Sequence, residues 1–242
     1  MVYNDEDIIS IFMEVKDMLE NSGFFLKEKK ITVYFLKIFY KMWGKHIKNR
    51  IIDYNTFAIE FNTSYFWKNF LKGLLFFNTN YNYIGNSILD VGCGAAPASI
   101  AVASLVTARE KRKISFYLID KSKRQLDIAK TFLNILAVDT YEYVEDTFEI
   151  KCKKYSQMVI FSYFICEQKK DFLKTLFDNR DKFSGGFVVL DYKENITAIK
   201  KYFTGHGDYN IKSVYLNYKL PNSLFEIIHE KEVNVYGCCY RP

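Results

Sequence analysis

Ser87-Ile88-Leu89-Asp90-Val91-Gly92-Cys93-Gly94-Ala95-Ala96-Pro97 is the stretch that sets the architecture of this chain. It opens as a short apolar run carrying one acid, the pattern of a buried strand. Two glycines flanking a single residue follow, and Pro97 stands where a helix would begin. Glycines at such a turn let the chain reverse sharply and let a ligand approach the main chain. A helix N-terminus beyond them adds N–H groups and the positive end of a dipole. The dinucleotide fingerprint GxGxxG is incomplete, because its last position is Pro97. Asp90, two residues before the first glycine, argues further against a phosphate and for a ligand with a cationic, amino-acid-like end.

Downstream of this stretch, short β-rich runs alternate with amphipathic ones. The strand at Ile88–Val91 precedes a helix to about Ala108, and Ile114–Ile119 precedes a helix over Ser122–Leu136. Thr140–Val144 and Met158–Phe161 are followed by a helix over Gln168–Arg180, and Phe187–Leu190 by a helix over Glu194–Phe203. Ser213–Tyr218 and Ile227–Tyr236 close the chain with no convincing helix between them. The alternation predicts an α/β fold, a doubly wound, mostly parallel seven-stranded sheet ending in an antiparallel hairpin.

Upstream, the pattern is helical. Asn4 is placed to cap a helix to about Glu20, with Asp5, Glu6 and Asp7 favourable against its N-terminal dipole. Further helices are expected over Lys30–Lys48 and roughly Tyr54–Phe76, and the polar stretch 78–86 reads as a linker. The expected division is a helical substrate-recognition or lid segment at 1–86 and a ligand-binding domain at 87–242.

Composition narrows the class. The five cysteines are odd in number and form no CxxC pair, which argues against a disulfide framework and for a reducing compartment. Three scattered histidines give no zinc spacing, so no metal is expected. The start is acidic and lacks the features of a secretory or transit segment. The long apolar run Ser87–Ala108 is broken by Asp90, the glycine turn and Pro97, so no membrane span is expected and the location is expected to be cytoplasmic. The net charge of +6 permits a polyanionic partner without requiring one.

Residues 88–101 resemble motif I of class I S-adenosylmethionine-dependent methyltransferases, and the resemblance continues over 87–242 as an ordered series of motifs. It implies a Rossmann-like domain, S-adenosyl-L-methionine as cofactor, and methyl transfer to an acceptor. It places Asp90, Gly92, Cys93 and Gly94 at the cofactor, with Asp120 at the ribose hydroxyls and its neighbour Lys121 also among the cofactor-binding residues. Asp146 follows the third strand, near the adenine amino group, where Glu145 competes for the role. Gln157–Phe164 resembles motif IV, which brings Phe161, Ser162 and Tyr163 to the edge facing cofactor and acceptor. The Asn/Asp-Pro-Pro-aromatic signature used on exocyclic base amines has no match there.

Tyr163, which either stacks on a base or fills the core, and Glu167, either a base or the start of a helix, are the candidate catalytic residues. A dedicated base is not obligatory where alignment of the reactants suffices. His206 reads as a turn residue. For the acceptor, Lys37, Lys41, Lys45 and Lys48 form a stripe on the expected second helix that would track a phosphate backbone, although such a stripe also serves as a solvated face. A fainter resemblance, to the small-ribosomal-subunit-associated methyltransferase-like family, lacks that family's clustered cysteines and implies RNA or a ribosomal subunit as partner. The alternatives are a small-molecule O- or N-methyltransferase and an inactive binding module, the last because Ala95 and Ala96 stand where many active members carry a further glycine.

Overall fold

The structure is a computed structural model that describes residues 2–24, 58–110, 112–136, 138, 141–144, 157–164 and 171–242, with backbone alone at 58–64 and 141–144. In chain order its elements are α1 (Asp5–Glu20), α2 (Ala58–Thr79), a 3-10 turn (Tyr81–Tyr83), β1 (Ser87–Val91), α3 (Pro97–Arg109), β2 (Ser115–Ile119) and α4 (Lys123–Ile135). They continue with β3 (Tyr141–Val144), β4 (Met158–Ser162), α5 (Phe172–Asp178), β5 (Phe187–Leu190), α6 (Lys193–Gly205), β6 (Ile211–Lys219), α7 (Asn222–Ile228) and β7 (Glu232–Tyr240).

The seven strands form one sheet in the order β3-β2-β1-β4-β5-β7-β6. β1 to β5 are parallel, and β7 runs antiparallel between β5 and β6. The expected doubly wound, mostly parallel sheet with a terminal antiparallel pair is therefore the observed one. The connections reverse direction between β1 and β4, which makes the crevice at their carboxyl ends the topological switch point, where open α/β sheets bind ligands.

Central strands are apolar apart from Asp90 in β1 and the terminal Ser87 and Ser162, because helices cover both faces. Successive side chains still alternate: Met158, Ile160, Val188 and Leu190 join one core, while Val159, Phe161, Phe187 and Val189 join the other. The first core also takes in Phe12 of α1, Phe70 and Leu74 of α2, and the Ala- and Ser-rich α3. α3 is buried from Ala98 to Val106 because α2 lies close across it, with a Cβ built on Gly73 falling 2.9 Å from Ala101 Cβ. The N-terminal helices thus share a core with the sheet. Asn78 at the end of α2 accepts from Tyr3 N–H and donates to Tyr3 O, both at 2.9 Å, and the Arg109 guanidinium lies 4.7 Å from the Tyr3 ring and 4.0 Å from the Tyr81 ring.

Local expectations fare unevenly. Asn4 caps α1 as expected, in a reciprocal capping box with Asp7. The stretch 78–86 is more structured than a linker, since α2 runs to Thr79 and the 3-10 turn follows. The closing pair carries a helix that the sequence pattern did not reveal. Pro221 sets an extended N-cap, Leu224 is buried, and His229 ends the helix in the left-handed region at φ 59. Ile227 consequently belongs to α7, and β7 extends instead through Gly237 to Tyr240.

Gly237 lets the α2 side chain Phe76 rest on β7. A Cβ there would stand 2.4 Å from the Phe76 ring and 2.9 Å from Val189 O. Gly237→Ala is expected to destabilise the fold by about 1–3 kcal/mol through overpacking. Urea unfolding would register this as a lower midpoint with an unchanged slope; an unaltered midpoint would mean that α2 does not seat on β7 as described.

Candidate cofactor site

At the carboxyl end of β1 the chain turns through Gly92 (φ 65) and Gly94 (φ 54), and Ala96 (φ 56) forms the N-cap of α3. Gly92 N–H donates to Ile119 O at 2.7 Å, and Cys93 N–H donates to the same oxygen at 3.1 Å. Gly94 N–H donates to Asp120 Oδ2 at 2.8 Å. Three consecutive amides therefore turn inward toward the end of β2. A phosphate cradle would need such donors directed at its ligand, so this loop presents backbone for close approach instead.

The two glycines differ in what lies before them. A Cβ on Gly92 would fall 2.4 Å from the Phe164 ring, whereas a Cβ on Gly94 meets nothing within 4 Å. The open approach to the loop is at Gly94, and the space at Gly92 is occupied by an aromatic side chain from beyond β4.

Asp90 is wholly buried on β1. Its Oδ2 accepts from Ser99 Oγ at 2.6 Å, and its Oδ1 has no hydrogen-bond partner. Burial pushes its carboxyl up to about 7; the Ser99 hydrogen bond opposes the rise and the Asp120 charge adds to it. An orphaned buried carboxylate oxygen is costly unless a ligand supplies a partner. Asp120 accepts from Gly94 N–H and from Ser122 N–H, both at 2.8 Å, so it ties the glycine loop to the start of α4. A carboxylate is also an acceptor of the kind a pair of ribose hydroxyls needs. Lys121 is exposed beside it.

Around the switch point the expected residues come together only in part. Cys93 is buried, and burial raises its thiol well above the usual range, so it lines the loop as a small apolar group. Phe161 departs from expectation. Its ring is fully buried among Phe164, Phe172, Phe183 and Phe187, so only its backbone can belong to a ligand site. Ser162 ends β4, half-buried opposite Leu190. Tyr163 adopts φ 54, a strained conformation for a non-glycine residue, and its N–H donates to Leu190 O at 2.7 Å. His206 sits at the end of α6 against the Tyr202 ring, with Nδ1 2.7 Å from Tyr202 O, in the expected turn role. Asp146, Glu145, Glu167, Lys37, Lys41, Lys45 and Lys48 lie outside the described residues. No helix among the described residues is long and apolar enough to cross a membrane, and no cluster of possible metal ligands occurs among them.

Three further residues join this edge. Lys72 Nζ of α2 donates to Tyr163 Oη at 2.8 Å. Asp191, buried just after β5, accepts at Oδ1 from Tyr192 N–H and Asn195 Nδ2. Tyr192 packs edge-on against Tyr163 with ring centroids 5.8 Å apart. The sequence carried a signal for Lys72: with Lys68 it repeats at i and i+4 inside the run Phe66–Phe77, where Asn69 is the only other polar side chain and a solvated face would show more.

No family model matches the sequence, and no curated protein does. Among solved structures, a magnesium protoporphyrin IX methyltransferase from Synechocystis with bound S-adenosylmethionine is similar at 13% identity and TM-score 0.48, covering 80% of this chain and 100% of its own. A precorrin-6y C5,15-methyltransferase from Geobacter metallireducens is similar at 14% identity and TM-score 0.46, covering 65% of this chain and 82% of its own. An rRNA methylase from Streptococcus thermophilus is similar at 14% identity and TM-score 0.41, covering 68% and 96%. The strand order with a reversed β7 between β5 and β6 is itself that of the Rossmann-like class I methyltransferase fold.

Proposed function

We propose that this chain is an S-adenosylmethionine-dependent methyltransferase whose acceptor is RNA, ribosomal RNA in the first instance, with a ribosomal subunit as its partner. The observation that carries the cofactor reading is the glycine loop. Its amides turn inward, Gly94 is open, and the acids Asp90 and Asp120 flank it at the switch point. Such a site disfavours a polyphosphate and suits a ligand with an ammonium group at one end and a ribose at the other. Asp90, with an oxygen lacking a partner, would meet the cationic end, and Asp120 would accept from the ribose hydroxyls. Bound there, S-adenosylmethionine supplies an electrophilic methyl group. The protein's task is then to align an acceptor with it and to keep water out. The RNA reading is supported by the net charge of +6 and by the lysine spacing at 37, 41, 45 and 48.

Incubation with tritiated S-adenosylmethionine and separate total RNA, protein and metabolite fractions tests the acceptor. Label in RNA, lost after ribonuclease, is the expected result; label confined to metabolites would replace RNA with a small molecule. The loop has its own test. Gly94→Leu is expected to weaken S-adenosylhomocysteine binding at least tenfold, because its side chain enters the open approach at a position that also disfavours Cβ. Calorimetric titration reads this directly, and parental affinity would place the ligand elsewhere.

A further inference from the structure

Resting on the methyltransferase reading, we propose that Tyr163 takes the acceptor's proton during methyl transfer and that Lys72, behind it, receives the phenol proton in turn. Tyr163 follows β4 at the switch point, one residue before the Phe164 ring that lies against Gly92. Tyr163 thus leaves the strand next to β1 at the carboxyl edge of the sheet, the edge that also carries the glycine loop. Its backbone holds φ 54, a cost that the neighbouring contacts must sustain. Lys72 Nζ reaches Tyr163 Oη at 2.8 Å, and the Tyr192 ring packs edge-on against the Tyr163 ring with centroids 5.8 Å apart.

The surroundings suit Lys72 to a proton-accepting part. Burial pushes its ammonium down to about 8, Lys68 on the same helix adds to the fall, and Glu230 and Asp191 oppose it. Lys68 is itself engaged by Glu230 at 2.5 Å, in the turn before β7. Lys72 therefore faces Lys68 from its own helix, Tyr163 beyond β4, Asp191 beyond β5 and Glu230 before β7. A lowered ammonium pKa favours the neutral amine that proton acceptance requires.

The acceptor's O or N forms its bond to the methyl carbon while the carbon–sulfur bond breaks with its electron pair going to sulfur. The acceptor's proton passes to Tyr163 Oη as the phenol proton moves to neutral Lys72 Nζ. The ammonium so formed then returns its proton to solvent. An acceptor that has already lost its proton would gain nothing from this pair, so the acceptor it serves is a neutral hydroxyl or amine group.

Tyr163→Phe, Lys72→Met and Lys72→Arg test it, with S-adenosylhomocysteine binding followed by calorimetry. Single-turnover tritium transfer from S-adenosylmethionine is measured into total RNA and into a metabolite fraction. All three variants should bind S-adenosylhomocysteine within about threefold of the parent. Transfer should fall about a hundredfold in Tyr163→Phe and Lys72→Met. The parental rate should rise with pH and level off above about 8, and this limb should vanish in Lys72→Arg, which keeps the charge and the hydrogen bond but cannot take up the proton. Parental transfer by Tyr163→Phe, a pH limb surviving in Lys72→Arg, or a parent that binds the ligand but labels neither fraction would overturn the proposal. A parent that does not bind S-adenosylhomocysteine would instead overturn the cofactor reading beneath it.

Discussion

Asp120→Ala should lower the affinity for S-adenosylhomocysteine by about a hundredfold or more. The carboxylate accepts from Gly94 N–H and Ser122 N–H, both at 2.8 Å, and so anchors the glycine loop to the start of α4. Hydrogen bonds to a charged group contribute about 1.5–3 kcal/mol each, and every 1.4 kcal/mol is roughly tenfold in binding. Losing both anchors loosens the loop, and losing the carboxylate also removes the acceptor assigned to the ribose hydroxyls. Asp120→Asn keeps one accepting oxygen and should fall between the two. Calorimetric titration of each variant, beside thermal unfolding without ligand, separates lost affinity from lost fold. A folded Asp120→Ala protein with parental affinity would remove Asp120 from the site.

Asp90→Asn should stabilise the ligand-free protein at pH 8 while weakening ligand binding. Burial holds the Asp90 carboxyl at about 7 in the folded chain, against 3.8 as its ordinary value. Between those two values the folded state keeps a proton that the unfolded state has released. Its contribution is therefore fully present below about pH 4 and is lost as pH rises through about 7, a swing on the order of 4 kcal/mol. Asparagine is neutral throughout and removes that swing. Urea unfolding of parent and variant from pH 4 to pH 8 should give curves that agree at the acid end, with the variant more stable at the alkaline end. Parallel curves would show that Asp90 does not carry the burial cost described. An ammonium beside Asp90 would favour its charged form, so S-adenosylhomocysteine should narrow the gap at pH 8.

The central α/β architecture was legible because a doubly wound sheet leaves period-2 apolar strands between amphipathic helices, and a glycine turn marks the first crossover. The reversed final pair was legible as well. α7 was not, because seven residues with a single buried side chain, Leu224, make too short a helical pattern to separate from the strand that follows. Within the site, Asp90 and Asp120 stand out because acids at strand ends are conspicuous. Phe161 misled because strand position alone does not tell which face a side chain takes, and its face here is the second core. Lys72 and Tyr163 could not be paired from sequence, since 91 residues separate them and only the docking of α2 across the sheet joins them. Distance along the chain likewise kept Phe164 from being recognised as the side chain in front of Gly92.

The central claim is that the loop from Asp90 to Gly94 holds S-adenosylmethionine. Calorimetric titration of S-adenosylhomocysteine into the parent chain, repeated with Gly94→Leu, tests it most directly. One equivalent bound per chain, with affinity reduced at least tenfold in the variant, is the predicted result. No binding by a folded parent, or equal affinity in both proteins, would contradict it.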